Sequence, residues 1–270
     1  MVHLISHNII NYYVNVSEDK ALYNHFCFSH QRRRNGGVMM SFNSEIQCIL
    51  QSRKITKLYH FTNAENLKNI FNHGLLSREA LEQFKVDHSF DYHYNDEDRF
   101  EGYKNTVSLS IEFPNYRMFY KYRNKKGNED VVWAVLELDA NLLCELDCVF
   151  CISNASNHYV RNTPEEKKLG AKGLKAMFID YNWWPIRKDL CIDDNYPTNP
   201  QAEVLVKDSK TEIKAAVPSK YIKCVWFETE EDKNKYSKFV PFDINIEVKG
   251  NLFSPRKDYK HWMNKENYGD

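Results

Sequence analysis

Net charge is what this chain most plainly lacks. Its 270 residues carry 37 basic and 37 acidic side chains, a formal balance of zero. The molecule as a whole therefore has no field to draw it onto nucleic acid, and any such surface has to be a local patch. No apolar run is long enough to span a bilayer. The opening residues, Met1 to Asn15, have neither the basic flank nor the sustained apolar stretch of a secretory signal. Cysteine is present without a framework: seven scattered residues, an odd number, point to reduced thiols and a cytoplasmic protein with no membrane partner. Cys148 and Cys151 have the spacing of half a zinc site, but a second convincing pair is missing, so no metal is expected. Gly170-Ala171-Lys172-Gly173 lacks P-loop spacing and has no hydroxyl after its lysine, which argues against a nucleoside triphosphatase. There is no internal repeat.

What is present is a globular composition, 42% hydrophobic and 14% aromatic, enough for a sizeable core. Residues 1–38 read as an appendage of unknown role ending in Gln31-Arg32-Arg33-Arg34-Asn35-Gly36-Gly37. The three arginines are a solvated joint or a phosphate contact. From residue 39 the pattern condenses. Ser41 or Asn43 can cap a short helix carrying Ile46, Ile49 and Leu50. Lys57 to Phe61 alternates as a strand, Thr62 or Asn63 can cap a helix with Leu67, Ile70 and Phe71, and Gly74 is a fitting stop. Ser77 to Phe84 reads as a helix, Thr106 to Phe113 as a strand, and Tyr116 to Tyr122 as one or two helical turns. Val131 to Leu138 is the strongest strand. Further strands are expected at Val149–Ile152, Ala176–Phe178, Glu203–Val206, Thr211–Val217 and Ile222–Phe227. Strands outnumber long helices, which makes the fold class α+β, with a mixed or antiparallel sheet and short flanking helices. The main domain is expected over residues 39–230. Residues 231–270 form an extension that packs on the core or frays.

Several stretches carry chemistry. In Asn199-Pro200-Gln201-Ala202-Glu203-Val204-Leu205-Val206, strand alternation puts the Gln201 amide and the Glu203 carboxylate on one side. That pair suits a cleft holding a sugar hydroxyl and an acceptor, or else it is an edge strand with two solvated polar residues. His60 and Thr62 share a strand face that runs into a helix start, whose amides can meet an anion or a ribose; His60 alone is as readily structural. Arg99, in a loop before a strand, can fork onto a pyrophosphate or pair with Asp96, Asp98 or Glu101. The aromatics of Pro114-Asn115-Tyr116-Arg117-Met118-Phe119-Tyr120 wall a nicotinamide, stack a base, or fill the core.

Together these stretches resemble the DarT family of ADP-ribosyltransferase toxins. The resemblance rests on Tyr59-His60-Phe61-Thr62 followed by Asn66-Leu67 and Gly74-Leu75, on Arg99 before Val107–Ile111, on Pro114-Asn115 with Met118-Phe119-Tyr120, and on Gln201 through Val206. It covers roughly Lys54 to Glu228. It implies a split β-sheet and transfer of ADP-ribose from NAD to a base in single-stranded DNA, with nicotinamide released. Carried over residue by residue, it implies His60, Arg99 and Glu203 as the catalytic and NAD-binding set. Thr62 and Asn66 are accessory on the NAD side, and Tyr120 lies among the aromatics there. Gln201 is expected to face the acceptor base, with Arg187 in the recognition loop Pro185 to Pro200 and Trp183 and Trp184 stacking an unpaired base or anchoring that loop. The resemblance also implies an antitoxin partner, of macrodomain type in the family.

Three alternatives stay open at this stage: the same reaction on RNA in a toxin–antitoxin or antiviral defence system, a protein ADP-ribosyltransferase, and a catalytically silent nucleic-acid- or antitoxin-binding module.

Overall fold

The strand expected to be the strongest lies deep in the sheet. Six of the seven residues of β3 (Trp133–Asp139) are buried, because neighbours cover both of its faces and both of its edges. A computed structural model describes residues 42–87, 103–180, 187, 190–208 and 215–263. Within them β3 lies between β1 (Lys57–Asn63) and β6 (Ile222–Phe227) in a seven-stranded sheet. The remaining strands are β2 (Thr106–Ile111), β4 (Cys148–Cys151), β5 (Glu203–Lys207) and β7 (Asn245–Val248), and the order across the sheet is β4-β5-β2-β1-β3-β6-β7. Every pairing is antiparallel except β6 with β7. The α+β class with a mixed sheet is therefore as expected.

The sheet is nearly two sheets. On one side β1 pairs with β3 at seven positions, from Lys57↔Asp139 to Asn63↔Trp133. On the other side it pairs with β2 at two, Leu58↔Ile111 and Tyr59↔Ser110, and then the strands part. Below the split, Glu112 adopts a left-handed backbone with φ +58, a conformation that costs a non-glycine residue about 1–2 kcal/mol. Its carboxylate accepts the Thr56 and Lys57 amides and its own amide donates to the Lys57 carbonyl at 3.0 Å. The two strands are thus pinned together at their lower end only.

Helices cover the two faces. α1 (Phe42–Arg53) buries Ile46, Ile49 and Leu50, the residues expected to face the core. It packs on α5 (Leu142–Glu145) and α7 (Gly170–Ala176). A short 3-10 turn (Ala64–Asn66), capped by Asn63, leads into α2 (Leu67–His73), which ends at Gly74 with φ +79. A Cβ at Gly74 would stand 2.5 Å from that of Ala215, so the position needs glycine for space as well as for angle. α3 (Arg78–Asp87) follows. The opposite face of the β1–β3 half is covered by α4 (Tyr116–Arg123), whose Phe119 and Tyr122 pack with Tyr59, Trp133, Val135 and Phe253. Outside the β4–β5 half, Ala155 and Val160 of α6 (His158–Asn162) and its lead-in pack on Val149, Cys151 and Leu205. α8 (Glu230–Tyr236) and α9 (Tyr259–Trp262) complete the described chain. Among the described residues no helix is long and apolar enough to cross a membrane.

One expected strand is absent. Ala176–Phe178 is not a strand: it is the end of α7 and the turn after it. Ala171, Leu174 and Phe178 recur at helical spacing, and a three-residue apolar run is too short to separate the two periods. The chain after 230 adds β7, a strand not foreseen there, in which Ile246 and Val248 alternate and which pairs with β6. Of the strand expected at Thr211–Val217, residues 211–214 lie outside the described residues, and Val217 forms a single bridge to Leu75.

Candidate active site

The strands part at His60. One residue beyond the last β1–β2 pair, its ring takes the place of the ladder, with Nδ1 3.0 Å from the Ser108 carbonyl oxygen. A carbonyl only accepts, so Nδ1 carries the hydrogen, and in the neutral ring Nε2 is left with the acceptor lone pair. The histidine is half-buried at the rim of the split.

On the far side of β2, Ser108 pairs with Leu205. Two residues up that strand is Glu203, the first residue of β5, opposite Cys151 of β4. His60 and Glu203 thus flank β2, two interstrand spacings or about 10 Å apart in sheet position. The Glu203 carboxylate accepts the Ala155 amide at 2.8 Å and the Asn154 Nδ2 at 3.2 Å. Asn154 is itself oriented, since its Oδ1 accepts the Ser156 amide at 3.0 Å. The loop after β4 therefore fixes which way Glu203 faces.

Gln201 lies in the turn before β5, so the alternation argument that joined it to Glu203 does not reach it. Its place is set instead by Arg117 of α4, whose Nη1 donates to Gln201 Oε1 at 3.0 Å. Sequence reasoning gave Arg117 no role. The available signal was helical: Arg117 and Tyr120 are three apart, on the side of α4 opposite the buried Phe119 and Tyr122. Tyr120 is 67% exposed. Asn154 was missed as well, because its partner is 49 residues away.

Thr62 and Asn66 are 1% exposed each. The Asn66 amide donates to Thr62 Oγ1 at 3.1 Å, across the turn that starts α2. The bond ties the end of β1 to the turn that starts α2. Arg187 is bound into its own loop: Nη1 donates to Thr198 Oγ1 at 3.1 Å and Nη2 to the Asp193 carbonyl at 2.7 Å. Burial, with Arg53 nearby, pulls its guanidinium down to about 10, so it stays charged at neutral pH. Arg99, Trp183 and Trp184 lie outside the described residues, as does the N-terminal appendage.

A sequence-family model described as "ssDNA thymidine ADP-ribosyltransferase, DarT" matches residues 59–254, most of the chain. The chain belongs to the DarT family. The family and enzyme class expected from the residues are thereby met. Similar solved structures include Thermosipho africanus DarTG in complex with ADP-ribose, at 15% identity and TM-score 0.48 over 73% of this chain. Thermus sp. 2.9 DarT is similar in complex with NAD+ (16% identity, TM-score 0.46) and with ADP-ribosylated ssDNA (16% identity, TM-score 0.44), each over 74% of this chain. The match spans 50% of the Thermosipho chain, and 98% and 97% of the two Thermus chains. A comparison with curated protein sequences finds no match.

Proposed function

We propose that this chain transfers ADP-ribose from NAD to thymidine in single-stranded DNA, with Glu203 as the catalytic carboxylate. The observation that carries the reading is the placement of Glu203: an oriented carboxylate at the head of β5, across one strand from the histidine at which the sheet parts. In the reaction the bond between ribose C1 and nicotinamide breaks and nicotinamide leaves with the bonding electrons. A bond then forms from C1 to the acceptor base, whose proton passes to a base. Positive charge develops at C1 before the new bond is complete. A carboxylate held in place by fixed donors stabilises that charge without having to reorganise. Glu203 is also placed to take the acceptor's proton.

The other residues fit NAD and a base. His60, its ring held by Ser108 at the rim of the split, is assigned to the ribose of NAD. Tyr120 offers an exposed ring on α4 against which a flat group can lie. Gln201 faces the acceptor base, and Arg117 holds its carboxamide, directing the amide hydrogens outward. Thr62 and Asn66 keep His60 in register, and Arg187 shapes the recognition loop. Arg99 is assigned the pyrophosphate, and Trp183 and Trp184 an unpaired base, on the family resemblance. An antitoxin that reverses or blocks the transfer is the expected protein partner, and its type is left to the partner's own chemistry.

The test offers NAD labelled in its adenosine to single-stranded oligonucleotides with and without thymidine, to their duplexes and to RNA. Label should enter thymidine-containing single-stranded DNA. Labelling of RNA instead would replace the acceptor, and intact NAD in every mixture would sink the enzymatic reading.

A further inference from the structure

We propose that Arg256 is a positioning residue for acceptor transfer, acting from beyond the family match through the loop that carries Gln201. The inference rests on the function proposed above.

Arg256 is a buried charge, 4% exposed, in a C-terminal segment that follows β7. A buried guanidinium is tolerated only when its donors are satisfied, and the way these are satisfied is informative. One edge forks onto Asp258, with Nε to Oδ1 at 2.7 Å and Nη2 to Oδ2 at 2.6 Å. The other edge reaches the loop before β5, with Nη1 to the Pro197 carbonyl at 2.9 Å and Nη2 to the Thr198 carbonyl at 3.1 Å. Asp258 is fixed in turn by the buried indole of Trp262, whose Nε1 donates to Oδ2 at 2.6 Å. A planar fork that spans a carboxylate and two successive carbonyls is geometry that lysine cannot reproduce.

The loop so held is the lead-in to the site. Thr198 is fully buried, and its amide donates to the Met177 carbonyl at 2.9 Å. Next to it, Asn199 Nδ2 donates to Ser153 Oγ at 3.1 Å, and Asn199 Oδ1 accepts the Gln201 amide at 2.8 Å. Ser153 adjoins Asn154 and Ala155, the Glu203 donors. Arg256 therefore anchors the turn that presents Gln201. Glu203, two residues further on, has anchors of its own in the strand pairing to β4 and the Ala155 amide. This division predicts a split effect. Loosening Arg256 lets Gln201 drift while Glu203 stays in place, so transfer to DNA suffers more than cleavage of NAD.

The experiment uses the full chain with Arg256→Lys, and Trp262→Phe as a milder change that leaves every Arg256 contact and deletes one donor to Asp258. Thermal unfolding reports the fold. Initial rates report NAD cleavage without acceptor, transfer to a thymidine-containing single strand, and KM for NAD. Arg256→Lys is expected to lower transfer by about 10- to 100-fold, the scale of a displacement near 1 Å, with KM for NAD unchanged and cleavage reduced far less. Trp262→Phe should shift the transfer-to-cleavage ratio in the same direction by a smaller factor. If folded Arg256→Lys keeps the unaltered ratio, the inference is overturned. Should that variant not fold, an unchanged ratio in folded Trp262→Phe overturns it equally. Transfer by the unaltered chain is the control: its absence would sink the proposed function, whereas its presence with unchanged ratios sinks this inference alone.

Discussion

Glu137 and Glu203 are equally buried, 9% exposed each, and lie in one row of the sheet. Glu137 pairs with Tyr59, Tyr59 with Ser110, and one step beyond the Leu109↔Val204 pair brings Ser110 level with Glu203. Their surroundings differ completely. Glu137 is in mid-strand, and side chains from both neighbouring strands close on it: Lys57 Nζ at 2.9 Å, Trp226 Nε1 at 2.9 Å and the Tyr59 hydroxyl at 3.4 Å. Burial, and then Glu137 itself, holds the Tyr59 phenol well above its usual pKa. Glu203 heads its strand and takes an amide and a carboxamide from a loop outside the sheet. Burial therefore does not distinguish the two carboxylates. Position does: the middle of β3 is closed by side chains of its neighbouring strands, whereas the head of β5 is met by a loop.

The largest effect that can break this comparison is at Glu203. Glu203→Gln keeps the shape and removes the charge, and transfer should fall by at least about 10²- to 10³-fold with the melting temperature little changed. Near-native transfer in that variant would mean the two carboxylates are alike. Glu137→Gln should do the reverse. It leaves the Lys57 ammonium without its counter-charge, and because Lys57 is partly exposed the cost is modest, about 1–2 kcal/mol by denaturant unfolding. Transfer per folded molecule should be unaltered; a loss comparable to that of Glu203→Gln would erase the distinction. Gln201→Ala sharpens the contrast within the site. Transfer should drop by about tenfold, roughly 1.4 kcal/mol, while NAD cleavage falls less, and equal losses would remove Gln201 from the acceptor side.

The smallest effect comes from tyrosines that donate to carboxylates as Tyr59 does. Tyr221 donates to Glu145 and Tyr236 to Glu65, each at 2.6 Å, and burial followed by those bonds pushes both phenols up to about 12. A raised folded-state value means that this stability is present below the ordinary tyrosine value near 10 and is lost as pH rises from there towards 12. Unfolding curves at pH 9, 10.5 and 12 should show the decline, and Tyr236→Phe should flatten part of it.

Much of this was legible in the residues. β6 lies where the alternation puts it, at Ile222–Phe227, and β5 begins at Glu203 as expected. The glycine stop at Gly74 and the capping Asn63 can be read locally, because cap and turn chemistry spans only a few residues. The pieces that escaped are those whose partners are distant in the chain. Asn154 reaches Glu203 across 49 residues and Arg117 reaches Gln201 across 84. No local pattern marks a residue for a partner that far away. The false strand at Ala176–Phe178 failed for the opposite reason, since the run was too short for its period to be read.

By itself the sequence determined the class of fold and, through a resemblance, the family. Those follow from local periodicity and from motif order, which survive without coordinates. Tertiary structure decided where the sheet parts, which nitrogen of His60 is committed, and how differently two equally buried carboxylates are held. Each of these depends on strand register and on loops meeting across tens of residues, and such contacts exist only once the chain has folded.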